Sequence, residues 1–210
     1  MKKLDLKKQY KNLYNPSAKE VTVVKVPRFN FIMVDGTIPA NTPVDEAPDY
    51  LGAIETLYGL SYTLKFMIKK RKVNPIDYPV MPLEGLWWTK DSHLKFTVSH
   101  SDPWFFTALI MQPEPVSAAL VAEAREQLRA KKNPPLLDNA RFEVFGEGAC
   151  MQVMHIGPYS EEPATIARMV AFAAENGYAT HGKHHEIYLG DPRRTAPAKL
   201  KTVLRHPIKK

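Results

Sequence analysis

An α+β fold of two duplicated strand–helix–strand–strand units, related by a pseudo-twofold axis, is what this 210-residue sequence predicts. Three observations predict it. Runs rich in β-branched and aromatic residues alternate with patterns in which apolar residues recur every three or four positions. The order of these segments repeats, at about 21–113 and again at about 141–207, on either side of a connecting helix at about 117–132. Prolines fall between the segments, at Pro39, Pro43 and Pro48, at Pro75, Pro79 and Pro82, and at Pro134 and Pro135. The halves share no residue-level identity, so the repeat is one of topology.

The elements follow in order. Val21 to Val26 reads as a strand from its β-branched content. Pro27 interrupts it, and Phe29 to Val34 resumes an apolar strand ending at Asp35-Gly36. Thr37 to Pro48, with three prolines, is a loop. Asp49 to Arg71 is helical: Tyr50, Ile54, Leu57, Tyr58, Ser61, Leu64 and Ile68 recur as one buried face requires, although Gly52 and Gly59 weaken the pattern. Leu83 to Thr89 and Trp104 to Met111 read as strands joined by a polar turn through Asp91-Ser92-His93. Ser117 to Lys132 is a helix opened by Pro115 and Ser117 and stopped by Asn133-Pro134-Pro135. Phe142 to Ile156 is one or two extended segments around Gly146 and Gly148. Glu161 to Asn176 is a helix with Ile166, Met169, Val170 and Ala173 on one side and Gly177 as its stop. His184 to Leu189 and Leu200 to Pro207 are the closing strands. Such a repeat would give two sheets, each with a helix on one face, and a ligand groove between the halves.

The bulk composition sets outer bounds. With 44% hydrophobic and 24% charged residues, the chain reads as one domain over residues 1–210 that buries a core without staples. Cys150 is the only cysteine, so no intramolecular disulfide forms, and its apolar stretch from Gly148 to Ile156 suits a buried, inert thiol. The expected location is a reducing cytoplasm, because the charged N-terminus has no apolar run behind it and no window approaches ~18 consecutive apolar residues. The formal charge of +7 is spread over three clusters, at Lys2 to Lys11, Lys65 to Lys72 and Lys199 to Lys210. No base-stacking consensus or helix-turn-helix pattern accompanies them. Dedicated nucleic-acid binding and membrane association are therefore not expected.

Chemistry concentrates near the C-terminal strand. In His184-His-Glu-Ile-Tyr-Leu, alternation puts Ile187 and Leu189 with His185 on one face, and His184, Glu186 and Tyr188 on the other. If Ile187 and Leu189 take the helix-covered core, Glu186 and Tyr188 turn toward a groove. A carboxylate there balances a cationic ligand or serves as a general acid or base; the bland alternative is an exposed edge carboxylate beside a packed tyrosine. Trp87, Trp88 and Trp104, with Phe105 and Phe106, put three tryptophans within eighteen residues. Neighbours in a strand point opposite ways, so only one of Trp87 and Trp88 faces the groove, and Trp104 and Phe106 stand together against Phe105. At least one tryptophan is expected to stack on a flat ligand, the remainder being core. His155, His181, His184, His185 and His206 lack a tight metal-ligand spacing, so no metal is expected. Tyr159, after Gly157-Pro158, either lends its hydroxyl to the groove or caps a hydrophobic contact. No Gly-rich phosphate loop or Gly-x-Ser-x-Gly elbow appears, and no cofactor is implied.

The segment from His184 to Pro207, with Gly190-Asp-Pro-Arg-Arg-Thr-Ala-Pro at its middle, resembles the closing segment of GyrI-like small-molecule-binding proteins. Met154-His-Ile-Gly-Pro-Tyr-Ser-Glu-Glu-Pro resembles the family's strand-to-helix junction. Leu83-Glu-Gly-Leu-Trp-Trp and Trp104-Phe-Phe-Thr-Ala-Leu-Ile-Met-Gln-Pro resemble the corresponding region of its stand-alone members. The likeness spans roughly Val21 to Pro207. It implies a duplicated fold with a groove between the halves, a small aromatic ligand, and a pocket glutamate at Glu186. The module is similar to effector-binding domains of multidrug-responsive activators, but about twenty residues before the first strand are too few for a helix-turn-helix domain. Some stand-alone members are cyclopropanoid cyclopropyl hydrolases, which open cyclopropane-bearing DNA-alkylating compounds, and others are associated with gyrase inhibition. The favoured expectation is a ring-opening, detoxifying hydrolase in which Glu186 activates water and Tyr159 or Tyr188 binds the oxygen that gains charge. Trp87, Trp88, Trp104, Phe106 and His184 are then the ligand-binding set. Sequestration without turnover, or inhibition of gyrase through a surface, are the alternatives.

Overall fold

The computed structural model describes residues 1–90 and 102–210; the turn expected at Asp91-Ser92-His93 lies outside the described residues. In chain order the elements are β1 (Lys2–Lys3), α1 (Leu6–Gln9), α2 (Lys11–Tyr14), β2 (Thr22–Val26), β3 (Phe29–Ile38), α3 (Pro48–Lys69), β4 (Ile76–Asp77) and β5 (Glu84–Thr89). They continue with β6 (Trp104–Gln112), α4 (Ala118–Lys131), β7 (Arg141–Phe145), β8 (Gly148–Ile156), α5 (Glu162–Glu175), β9 (Ala179–Thr180), β10 (His184–Tyr188) and β11 (Lys201–Lys209). The stretch from Phe142 to Ile156 is thus two strands, separated at Gly146 and Glu147, the second opening on Gly148 at φ +72° where an L side chain is disfavoured. The residues ahead of β2 join the core, since Leu6, Leu13 and Tyr14 are buried.

Helix α3 starts with Pro48 in its first turn, where a missing N–H is harmless. Ala53, Leu57, Leu60, Leu64 and Ile68, spaced four, three, four and four apart, are fully buried. Each large member contributes roughly 1.5–3 kcal/mol through that burial. Tyr50, Ile54 and Tyr58 occupy a separate, partly buried stripe that looks into a groove, so the expected single face is really two. The two glycines have a packing reason. A Cβ at Gly59 would lie 2.9 Å from the Leu128 side chain of α4, and one at Gly52 would touch Leu136 at 3.4 Å. Glycine lets α3 and α4 approach closely.

The two expected sheets are one. Strands β2, β8, β11, β10, β5, β6, β3 and β7 form a continuous curled antiparallel sheet in that order, with β9 pairing to β11. The order is symmetric about its middle: β8-β11-β10 mirrors β3-β6-β5, with β10 and β5 hydrogen-bonded at the seam. Helix α3 corresponds to α5, and the first strand of each half is exchanged. Strand β2 pairs with β8 of the other half, and β7 pairs with β3. The seam edges find each other because unpaired backbone groups there would otherwise be left without partners.

Register assigns the faces. His184 pairs with Trp87 and Glu186 with Gly85, so these four share one face with Tyr188. Leu204, opposite Glu186, and Val153, opposite Leu204, also lie on it, packed with Ile166, Met169 and Ala173 of α5. Tyr50 of α3 packs on Trp87 and Phe106 from the same side. Both helices therefore stand on the Glu186 face and leave a groove between them over the seam. This corrects the expectation that Ile187 takes the helix-covered side. Ile187 is fully buried on the opposite face, within the core that also contains Leu6, Leu13 and Tyr14. The alternation rule separates two faces but does not say which one the helices cover. Leu189 lies just past the end of β10 and borders the groove as well. Among the described residues, no helix is long and apolar enough to cross a membrane.

Candidate functional site

The groove has a volume of about 2370 Å³, larger than the ~300–1,000 Å³ common for small-molecule sites. Its floor is the seam, represented by Trp87, Glu186 and Tyr188; α3 supplies Tyr50, Ile54 and Tyr58, and the start of α5 supplies Tyr159, Glu162 and Ile166. A hydrogen-bonded line crosses the floor. The Trp87 indole N–H donates to the Tyr188 hydroxyl at 2.9 Å, and that hydroxyl donates to Glu186 Oε2 at 2.7 Å. Gly85, directly across the seam from Glu186, makes the line possible. A Cβ there would sit 2.6 Å from the Trp87 ring nitrogen and 3.1 Å from the Tyr188 oxygen. On the other side of the carboxylate, His184 Nε2 lies 3.5 Å from Glu186 Oε1.

Glu162 is a further carboxyl of the groove, next to Glu186 and only 6% exposed. Pro158 and a 3-10 turn at Tyr159–Glu161 lead the chain from β8 into α5 and drop Glu162 into its first turn. Its Oε1 is buried, and the carboxyl lies beside the Thr202 hydroxyl. Burial, and after it the negative charge of Glu186, push the Glu162 carboxyl up to about 9. At neutral pH Glu162 therefore carries a proton. The surrounding hydroxyls also hold theirs. Burial, then Glu162 and Glu186, push Tyr159 up to about 12, and burial followed by the Glu186 charge raises Tyr188 and Tyr50 further. The floor thus offers one anion among proton donors, in a mainly aromatic surround.

The sequence-derived residues separate by position. Tyr159 is 39% exposed, borders the groove and packs edge-on against Tyr188 at 5.8 Å. Trp87 and Trp104 both border the groove. Trp88 does not: it lies on the opposite face, stacked on Phe105 at 5.9 Å with Lys183 Nζ 3.3 Å from its ring centre. Phe106 is on the groove face but fully buried, packed behind Tyr50 and Trp87 as backing. His184 is buried beside Glu186 and does not border the groove. Sequence reasoning missed Glu162, Tyr50 and Tyr58. An acid in a helix's first turn is ordinary dipole chemistry, which hid Glu162, and the two tyrosines were absorbed into the apolar face of α3.

The opposite face holds a separate polar cluster. His185 Nδ1 is 2.8 Å from Glu147 and its Nε2 is 2.9 Å from Glu84, all three almost wholly buried. Tyr14 donates to Glu84 at 2.8 Å, and Arg205 reaches Glu147 at 3.3 Å and the Leu13 carbonyl at 2.9 Å. Burial alone would lower His185 and raise Glu147. Their mutual attraction, helped by Glu84 and Arg205 respectively, outweighs it, lifting His185 to about 9 and holding Glu147 at about 2. This cluster ties α2, β5, β10 and β11 together. Among the described residues, no group of three or more His, Cys, Asp or Glu is arranged to hold a metal ion.

A family model for the GyrI-like small molecule binding domain matches residues 19–209. No curated protein matches the chain. Among solved structures, an uncharacterized conserved protein from Listeria innocua is 37% identical, with TM-score 0.86, over 98% of this chain and 100% of that one. A hydrolase from Listeria innocua is 35% identical, with TM-score 0.82 and coverage of 98% and 100%. A further hydrolase structure from the same organism is 36% identical, with TM-score 0.85 and coverage of 99% and 100%.

Proposed function

The chain belongs to the GyrI-like small molecule binding domain family, and from that premise we propose that its groove binds a flat, largely aromatic molecule and adds water across a strained cyclopropane ring, detoxifying a DNA-alkylating compound. The observation that carries the reading is the unequal pair of carboxyls. Glu162 is protonated at neutral pH beside the negative charge of Glu186, so a proton donor and a proton acceptor stand together in the groove. The similarity to Listeria hydrolases supports turnover over simple sequestration.

In this reading Trp104, Tyr50 and Tyr58 hold the aromatic body, and offset stacking contributes roughly 0.5–1.5 kcal/mol per ring beyond burial. A water in the groove gives its proton to Glu186 as its oxygen attacks the ring carbon. The cyclopropane C–C bond breaks, and its electrons move through the conjugated system to a carbonyl oxygen. Tyr159, whose hydroxyl stays protonated, hydrogen-bonds that oxygen as its charge grows. Tyr188 already donates to Glu186 and accepts from Trp87, so its part is to aim the base rather than to bind substrate. These two hydrogen bonds hold the carboxylate in a fixed orientation.

Glu186→Gln keeps the shape of the side chain and removes the proton acceptor. With a cyclopropane-bearing alkylator, the variant is expected to bind as the wild type does and to lose roughly 10²–10⁴-fold in turnover. Unchanged turnover in Glu186→Gln would remove Glu186 from the mechanism. Binding without turnover by the wild-type protein would establish sequestration instead, and inhibition of DNA supercoiling by gyrase would move the function to a protein surface.

A further inference from the structure

We propose that the same groove hydrates epoxides carried on aromatic frameworks, with Glu162 as the acid that the cyclopropane reaction leaves unused. The proposal rests on the reading above for its base, Glu186, and adds a second substrate class and a second catalytic group.

The two substrates place different demands on the site. When a conjugated cyclopropane opens, charge gathers on an oxygen at the far end of the ring system, several bonds from the attacked carbon. In an epoxide the oxygen that gains charge is bonded to the attacked carbon itself. Acid and base must then converge on two adjacent atoms. Glu186, from the middle of β10, and Glu162, from the first turn of α5, border one groove and act directly on each other electrostatically. Glu162 carries its proton at neutral pH, and its side chain borders the groove shared with Glu186. Tyr188 does not compete for this role, because its hydroxyl proton is already directed at Glu186. The aromatic side chains around the pair, Tyr50, Tyr58, Trp104 and Tyr159, accept an aryl substituent on the three-membered ring.

The step balances without any co-reactant. Water transfers a proton to Glu186 while its oxygen bonds to one epoxide carbon. The ring C–O bond breaks with its electron pair moving to oxygen, and Glu162 protonates that oxygen to give a diol. Proton transfer from Glu186 back to Glu162 restores the starting state.

The test uses the purified full chain with trans-stilbene oxide, alongside a cyclopropane-bearing alkylator. Diol is followed by chromatography, with a single-turnover run in ¹⁸O-labelled water. The wild type is expected to form diol well above the uncatalysed rate, with label in the diol from the first turnover. Glu162→Gln is expected to lose roughly 10²–10⁴-fold in diol formation, whereas Trp88→Phe, on the opposite face of the sheet, leaves it unchanged. Diol formation should also fall as pH rises through about 9, where Glu162 loses its proton. Turnover of the alkylator without diol would overturn this proposal and leave the reading above intact, whereas failure on both substrates would overturn that reading too. Full diol formation by Glu162→Gln would overturn the role of the acid, and unlabelled first-turnover diol would overturn direct attack by water.

Discussion

Replacing Glu162 by glutamine should make the protein more stable, and the gain should itself depend on pH. A carboxyl whose folded-state pKa is raised works against folding. Below about 4.5, the ordinary value, it is protonated in both states and has no effect; between 4.5 and about 9 the unfolded chain releases the proton and the folded protein keeps it. Each pH unit in that window is worth about 1.4 kcal/mol. At pH 7, 2.5 units above 4.5, the penalty is on the order of 3 kcal/mol. Glutamine matches the neutral acid in shape and releases no proton in either state. Its amide can keep the hydrogen bond that the acid shares with the buried Thr202 hydroxyl. For a chain of this size, roughly 2–4 °C of Tm per kcal/mol makes the shift about 6–12 °C at pH 7. Thermal and urea unfolding of wild type and variant at pH 4, 7 and 9 measures it. The two should coincide near pH 4 and diverge steadily to pH 9. A constant difference across that range, or a variant less stable at pH 7, would refute the claim that Glu162 is held protonated by its surroundings. Such a penalty tolerated in the native chain is what a functional group kept at the expense of stability looks like.

Other consequences are open to simpler tests. Flat aromatic ligands should quench tryptophan fluorescence, with Trp104→Phe weakening both quenching and affinity and Trp88→Phe leaving affinity unchanged; the reverse pattern would place the ligand on the other face of the sheet. Gly85→Ala should push the Trp87 ring nitrogen and the Tyr188 hydroxyl off line, since its Cβ would stand 2.6 and 3.1 Å from them, and should lower turnover more than ligand affinity; kcat and Kd measured together decide it. The stabilisation from protonated His185 is complete below pH 6.5 and lost as pH rises through about 9, because its folded-state pKa is raised. His185→Asn should cost about 3–5 kcal/mol at neutral pH by leaving buried Glu84 without its cation and Glu147 with Arg205 alone. Chemical unfolding at pH 6.5 and pH 10 should show that cost shrinking at the higher pH.

Much of the architecture was legible before any coordinates. Strand β10 was anticipated to within a residue because it alternates and ends at a Gly-Asp-Pro turn, and α5 because its apolar side is regular and Gly177 ends it. These are local properties, governed by propensity, periodicity and turn chemistry within a dozen residues. Grouping Glu186 with Tyr188 on one strand face followed from alternation alone.

What only the tertiary structure decided depends on partners far apart in the chain. Whether the halves form two sheets or one turned on the β5–β10 pairing, and the exchange of β2 and β7 joins segments more than a hundred residues apart. The single buried face expected for α3 became two stripes because the sheet and the groove meet different sides of it. Trp87 and Trp88 were equivalent in sequence until the seam register sent one to the groove and the other to Lys183. Glu162 is the clearest case: an acid in the first turn of a helix is ordinary, and only its burial beside a second carboxylate makes it an acid at neutral pH. Burial and charge proximity are sums over the whole fold, whereas a sequence displays only neighbours along the chain.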